Sequence, residues 1–343
     1  MFESINTPTG PNWKLRAVAA VAVVGLGAGA VSIWRMTQMP LRSYGGNLPP
    51  LSAAQMELSS RLRDHVSYLS ATIRERNSHF EGSLPQTIDY LRNQLGQMGY
   101  AVVEQTYTVG GQPLSNLEAQ LIGSDNTAGQ VVIGAHYDNV EGTVGADDNA
   151  SGVAAALELA RLLRTSKLRR TVRFVFFVNE EPPYFQTEQM GSLVYARNLR
   201  RDGVRVEAMI SLETIGFYSA APGSQKYPPG LNLFYPSRGD FVAFVGNPES
   251  RDLLRRAVRT FRESAQFPSE GIAAPASWPG IGWSDHWSFW QEGYPAIMIT
   301  DTAPFRYPYY HTALDTVDKI DFEKMARVVD GMRNVVASLA DER

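Results

Sequence analysis

The side chains of this 343-residue chain that could carry chemistry stand where apolar runs end. Val131 to Ala135 runs into His136-Tyr137-Asp138, Val172 to Val178 into Asn179-Glu180-Glu181, and Ala208 to Leu212 into Glu213. Between the first two lies Gly145-Ala146-Asp147-Asp148-Asn149-Ala150-Ser151-Gly152, and further on come Ser284-Asp285-His286 and Tyr310-His311-Thr312. Of only five histidines, three fall in these clusters, so imidazole is concentrated beside carboxylates. Two imidazoles with several carboxylates form the donor set of zinc or a related divalent ion. With one carboxylate bridging, two ions can sit about 3.5–4 Å apart, as in hydrolytic two-metal sites. In the adjacent pair Glu180-Glu181, one carboxylate can bind metal while its neighbour stays free as a general base toward water.

The elements that must position these groups read as α/β. Ala53 to Arg76, Leu84 to Met98, Gly152 to Leu163, Glu249 to Glu263 and Phe322 to Leu339 have helical periodicity. Val102 to Val109, Leu117 to Ile122, Val131 to Ala135, Val172 to Val178, Ala208 to Leu212 and Ala296 to Thr300 read as strands, several of them apolar enough to be buried on both faces. The alternation predicts a three-layer α/β/α fold with a central mixed, mostly parallel sheet. In such folds the site lies beyond the carboxyl ends of the strands, so wide separation in sequence is no obstacle to a shared centre.

Plainer roles compete for several of these residues. His65 and His79 read as structural histidines, and His286 stands between local hydrogen bonding and support of the site. Asn149 or Ser151 suits the cap of the helix at Gly152, leaving Asp147 for metal. The basic stretch Arg161 to Arg173 reads as a helix C-terminus complementing the dipole. Trp278, Trp283, Trp287 and Trp290 read as packing, with one or two available to wall a side-chain pocket.

Composition bounds the alternatives. Hydrophobic residues make up 44% and charged residues 20%, an ordinary globular balance. Net charge is −3, without the clustered positive charge of a nucleic-acid footprint. Cysteine is absent, which removes disulfide scaffolds, thiolate metal sites and cysteine nucleophiles together. At the N-terminus, Lys14 and Arg16 precede an uncharged run from Ala17 to Trp34, closed by Arg35. As a helix, that run would reach about 27 Å, close to the roughly 30 Å of a bilayer core. Residues 1–35 are therefore expected to be a short tail and a single transmembrane anchor, with the bulk of the chain outside the cytoplasm. The alternative is a cleaved signal segment, for which Ala28-Gly29-Ala30 has the required small residues. Residues 36–52, rich in proline and glycine, read as a linker, and 53–343 as the catalytic domain.

The order His-x-Asp, Gly-Ala-Asp-Asp-x-Ala-Ser-Gly, Glu-Glu, Glu and His-Thr-x-x-Asp-Thr resembles the M28 family of zinc-dependent aminopeptidases and carboxypeptidases over about residues 115 to 320. The resemblance implies the zinc-exopeptidase fold and two divalent ions, most simply Zn2+. It implies metal ligation by His136, Asp147, Glu181, Glu213 and His311, with Asp147 bridging and Glu180 as the general base. It further implies that Asp138 orients His136, that Tyr310 steadies the oxyanion, and that Asp285 and Asp315 support the site. Two departures stand out: many members carry aspartate in place of Glu213, and Pro182-Pro183-Tyr184-Phe185 interrupts the short turn after Glu-Glu. The implied function is hydrolysis of peptide bonds, most simply removal of N-terminal residues from short peptides. Rival readings are a glutaminyl-cyclase-like acyltransferase, a deacylase of small amides, and a non-catalytic binding ectodomain of the same fold. Oligomeric state is left open.

Overall fold

The structure is a computed structural model that describes Gly29, residues 31–80 and residues 82–342. The chain divides into two compact units at Gln38/Met39. In the first, residues 31–37 are helical. Most of the expected membrane anchor lies outside the described residues; among those described, no helix is long and apolar enough to cross a membrane.

The second unit contains an eight-stranded sheet. Its strands are β1 (Val102–Val109), β2 (Gln112–Leu121), β3 (Gln130–His136), β4 (Val172–Phe177), β5 (Val206–Glu213), β6 (Val242–Gly246), β7 (Ser269–Ala273) and β8 (Ala296–Thr300). Their spatial order is β1-β2-β4-β3-β5-β8-β6-β7. The block β4-β3-β5-β8 is parallel, whereas β2 joins β4 and β6 joins β8 antiparallel. The carboxyl ends of four neighbouring strands therefore open on one edge, as the alternating pattern predicted.

Helices α1 (Ala53–Ser67), α3 (Gly152–Leu163), α5 (Arg251–Ser264) and α8 (Phe322–Asp341) pack together in one layer. Between them lie α2 (Ser83–Gln97), which packs against α3, β1 and β2, and a π turn over Tyr68–Ile73, which takes up the end of the long helix expected to reach Arg76. Helix α3 is buried on nearly every side because its residues are mostly Ala, Val and Leu. Its exception is Glu158, which is held by Arg61, Arg161 and His65. His65 also bonds Tyr90 at 2.7 Å, so it is the core histidine its surroundings suggested. On the other face, α4 (Gly191–Arg201) and α6 (His286–Gln291) cover a smaller core of Val132, Val175, Phe177, Tyr195, Met209 and Phe289. A short α7 (Ala303–Arg306) follows β8.

Two regions differ from expectation. Strands β6 and β7 and helix α6 are only five or six residues long and too short to show a period, whereas α4 escapes the sequence reading although Leu193, Tyr195, Ala196 and Leu199 give it a buried face. And the stretch read as a spacer is laid against the second unit from Met39 onward: Arg262 donates to the carbonyls of Pro40 and Leu41, and Ser269 N–H to Ser43 Oγ. Backbone carbonyls in a proline-rich segment have no ladder partner, and a buried guanidinium supplies one.

Candidate metal centre

Three strand ends set the frame. His136 is the last residue of β3 and Glu213 the last of β5, on adjacent parallel strands, while Glu180 and Glu181 follow β4 on the other side. The backbone turns sharply at these points, with positive φ at Asn179 (60°), Thr214 (43°) and His311 (55°). Left-handed backbone at residues other than glycine costs energy and persists where the surroundings over-determine it. Here it turns the main chain out of the strand direction next to Glu180 and Glu213, and at His311 itself.

The His136 ring donates from Nδ1 to the Asp138 carbonyl at 3.1 Å, leaving Nε2 turned toward carboxylates. From that nitrogen Glu213 Oε2 lies at 3.1 Å, Asp148 Oδ1 at 3.5 Å and Glu180 Oε2 at 3.9 Å. A second imidazole approaches from the C-terminal turn: His311 Nε2 lies 3.0 Å from Asp148 Oδ2 and 3.5 Å from Glu181 Oε2. One oxygen of Asp148 thus faces each histidine, and the aspartate stands between two half-sites.

This corrects the choice of Asp147. Its Oδ1 accepts from Gly216 N–H at 2.8 Å and its other oxygen is buried toward Asp301, away from both imidazoles. The reason is local. Asp315 accepts the N–H groups of both Asp147 and Asp148, at 2.9 and 3.1 Å, and fixes the loop. Gly145 before it is left-handed at φ 56°, and the Asp148 carbonyl occupies the place where a Cβ would stand. Of the two residues expected to cap α3, Ser151 holds the N-cap position without a side-chain cap bond, and Asn149 Oδ1 accepts from Gly152 N–H.

The supporting residues divide similarly. Asp138 receives the N–H groups of Glu180 and Glu181, both at 3.2 Å, so it positions the glutamate pair as well as lying 3.7 Å from His136. Asp315 also accepts from Tyr307 at 2.8 Å. Asp285 is fully buried, yet its oxygens make no hydrogen bond among the described residues; its neighbour Ser284 donates to Glu213 Oε2 at 2.7 Å. Tyr310 stacks on His311 with ring centroids 3.8 Å apart. His286 bonds the Ile281 carbonyl at 2.7 Å and packs on Trp290, outside the centre.

Sequence reasoning missed three groups. Arg76 is fully buried and donates to the carbonyls of Leu69, Arg74, Tyr137, Val144 and Gly145, clamping the loop that carries Asp148. Burial brings its pKa down to about 10, so it stays charged. Ser284, named only within its motif and given no task of its own, and Asp301 are the others. Asp301 directly follows β8, so the same strand-end pattern that found Glu213 could have found it.

Electrostatics make the cluster cation-seeking. Burial raises the pKa of Glu180, Glu181 and Glu213, with Asp148 adding to the effect on Glu181. Asp148 goes the other way: burial opposes ionisation, but His311, His136 and Arg76 outweigh it. Burial likewise opposes the charge on His136, and Glu213 and Glu180 overcome it. Buried carboxylates of this density need positive charge at their centre. Sets of imidazole and carboxylate atoms here lie within 4.8 Å of one another, and Glu181 Oε1 is buried with no protein partner. The donor set and the orphaned oxygen fit divalent ions.

A family model described as Peptidase family M28 matches residues 116–336. The chain belongs to peptidase family M28. It is 40% identical to the Escherichia coli K12 protein YfbL, itself uncharacterized, over 79% of this chain and 85% of that one. It is 30% identical to a probable leucine aminopeptidase of Arthroderma otae, over 64% of this chain but only 56% of that protein. Beyond YfbL, the chain thus spans about half the length of the curated relatives it matches. In fold it is similar to BSAP, a zinc aminopeptidase from Bacillus subtilis, with a TM-score of 0.68 at 15% identity over 83% of this chain and 95% of that one. It is also similar to the Porphyromonas gingivalis glutaminyl cyclase, with a TM-score of 0.61 at 22% identity over 81% and 97% of the two chains. The M28 segment spans every residue of the cluster from His136 to His311.

Proposed function

We propose that the protein is a zinc-dependent aminopeptidase with two metal ions per chain. The carrying observation is Asp148, whose two oxygens face His136 and His311 respectively. His136, Glu213 and one Asp148 oxygen would hold one ion; His311, Glu181 and the other oxygen would hold the second. When bound, such ions polarise a substrate carbonyl and acidify a water. The M28 relatives named for aminopeptidase activity support the same reading.

Within that frame each side chain has a task. Glu180 is held beside His136 by Asp138, ligates neither half-site in this reading, and takes the proton from the attacking water. It then delivers that proton to the leaving amine. Tyr310 carries its phenol into the same cluster; burial and the surrounding carboxylates raise its pKa, so it remains a donor for a developing oxyanion. We further propose that the run Ala17 to Trp34 holds the protein at a membrane with the catalytic domain outside the cytoplasm. Membrane fractionation of the full chain and of a chain lacking residues 1–35 tests this, and retention of the shortened chain in the membrane fraction overturns it.

The test of function combines metal content with hydrolysis of leucyl, alanyl, lysyl and prolyl amides. Two zinc ions per chain and turnover that falls about 10²–10⁴-fold in Glu180→Gln are expected. Undiminished turnover in that variant removes Glu180 as base. The glutaminyl cyclase neighbours favour one alternative, cyclisation of N-terminal glutamine, and a single ion with glutaminyl-peptide turnover would select it.

A further inference from the structure

We infer that the cavity beside the metal centre receives a long basic side chain of the substrate, and that Glu270 is the residue that selects it. This rests on the peptidase reading and names the substrate class of that site. The sheet register carries the argument. Glu213 pairs with Thr300, Thr300 with Ala243, and Ala243 with Glu270, which makes one row across β5, β8, β6 and β7. The next row is Met298, Val245 and Ile272. Directly paired residues share a face, so Glu270 lies on the same face as the metal-centre residue Glu213. Three strand spacings of about 4.8 Å put their backbones on the order of 14 Å apart.

On this face α6 packs mainly against β5 and β8. The β6–β7 end is roofed by loop residues instead, which leaves a cavity open to solvent between the metal end and Glu270. Tyr310 and Glu213 stand at its metal end, while Tyr227, Tyr235, Phe305 and Trp283 form aromatic walls. Polar groups along the walls are already engaged. Tyr227 donates to the Pro236 carbonyl and Tyr235 to Gly271, and Gln225 is held by Thr302 and Arg306.

Glu270 differs in being a carboxylate that lines the cavity: Ser43 donates to it and Arg262 Nη2 pairs with it at 3.7 Å, which leaves it acceptor capacity to spare. Arg262 spends its other donors on Pro40, Leu41 and Ser269. Burial raises the Glu270 pKa, with Arg262 and Ser43 pulling it back. An incoming ammonium or guanidinium at the end of an aliphatic stem satisfies both parts of the cavity, since the stem lies along the aromatic walls and the head reaches the carboxylate. A leucine side chain is too short to reach Glu270 and leaves that carboxylate with Ser43 and Arg262 alone.

The test uses the full chain incubated with zinc. First, kcat/KM is measured for arginyl, lysyl and leucyl amides in the wild type, Glu270→Gln and Glu270→Asp. Second, calorimetry measures binding of L-arginine and L-norleucine to the same proteins. The wild type is expected to favour arginyl and lysyl over leucyl amides at least tenfold, and Glu270→Gln to lose at least tenfold of that ratio. Glu270→Asp, a control should the glutamine variant misfold, is expected to keep a basic preference shifted toward arginine. A wild-type preference for leucyl amides, or a ratio unmoved in Glu270→Gln, overturns the pocket assignment and leaves the peptidase reading standing. If no amide is cleaved by any protein, the peptidase reading fails, and calorimetry alone decides the pocket. Arginine bound tenfold tighter than norleucine by the wild type and not by Glu270→Gln sustains it, and equal binding overturns it.

Discussion

The two ends of the open sheet edge are built on different rules. At the β4-β3-β5 end, polar side chains leave strand termini and converge within hydrogen-bond range, fixed by Asp138, Asp315 and Arg76. At the β8-β6-β7 end, side chains stand on the strand face and loops close over them. The first arrangement tolerates almost no displacement, because its parts must share a centre. The second is a container whose walls can be exchanged one at a time. In the proposed reading, chemistry is confined to one end and selectivity to the other, with Glu213 and Tyr310 at the boundary.

The sharpest way to break this comparison is at the first end. Asp148→Ala should abolish turnover and one half-site together, a loss at least as large as the 10²–10⁴-fold expected for the base. Asp147→Asn, by contrast, should keep metal and measurable turnover, because Asp147 faces Gly216 and Asp301. Kinetics and metal analysis of the two variants side by side check the pair. Equal losses would mean that the loop acts as one unit, and the assignment of Asp148 alone would fail.

Arg76→Met comes next. It removes a buried guanidinium serving five backbone carbonyls, and stability should drop on the order of 3 kcal/mol or more in denaturant unfolding. A loss under about 1 kcal/mol would show that the loop is held by Asp315 without the clamp.

A third effect concerns pH. Burial raises Asp285 and Asp301 to about 7 and Asp315 to about 6. A carboxyl whose folded pKa exceeds its unfolded value holds extra protons in the folded state, so its stabilising contribution is full below the unfolded value and is lost as pH rises through the folded one. The chelator-treated protein should therefore lose Tm between about pH 5 and 7, and zinc should flatten that slope by replacing protons as the source of positive charge. A Tm that rises over this window without metal would contradict the electrostatic picture. The smallest effect is expected at the second end, where Trp283→Ala opens the wall shared with Phe305 and should raise KM only a few-fold, with kcat and metal content kept.

The same contrast explains what could be read beforehand. His136, Glu180, Glu181, Glu213 and His311 were legible because each follows an apolar run or sits in a polar motif, and strand ends of a parallel block must meet on one edge. The choice between Asp147 and Asp148 was not, since neighbours in a loop differ only by backbone turn and by which N–H groups Asp315 accepts. Arg76 was hidden because a buried arginine has no pattern of its own and its acceptors are carbonyls. Strand β7, Ser269–Ala273, contains a glutamate and a glycine and lacks alternation, so Glu270 gave no sign of facing a cavity. Trp283 was recognised as a candidate wall because aromatic residues cluster there, whereas its partner Phe305 comes from α7, a helix too short to show periodicity.

The account depends most on Asp148 joining two half-sites. Zinc content per chain, measured by elemental analysis on the wild type and on Asp148→Ala after equilibration with a slight excess of metal, tests it most directly. The account predicts two ions in the wild type and no more than one in the variant. Two ions retained by Asp148→Ala, or a single ion in the wild type, would contradict it.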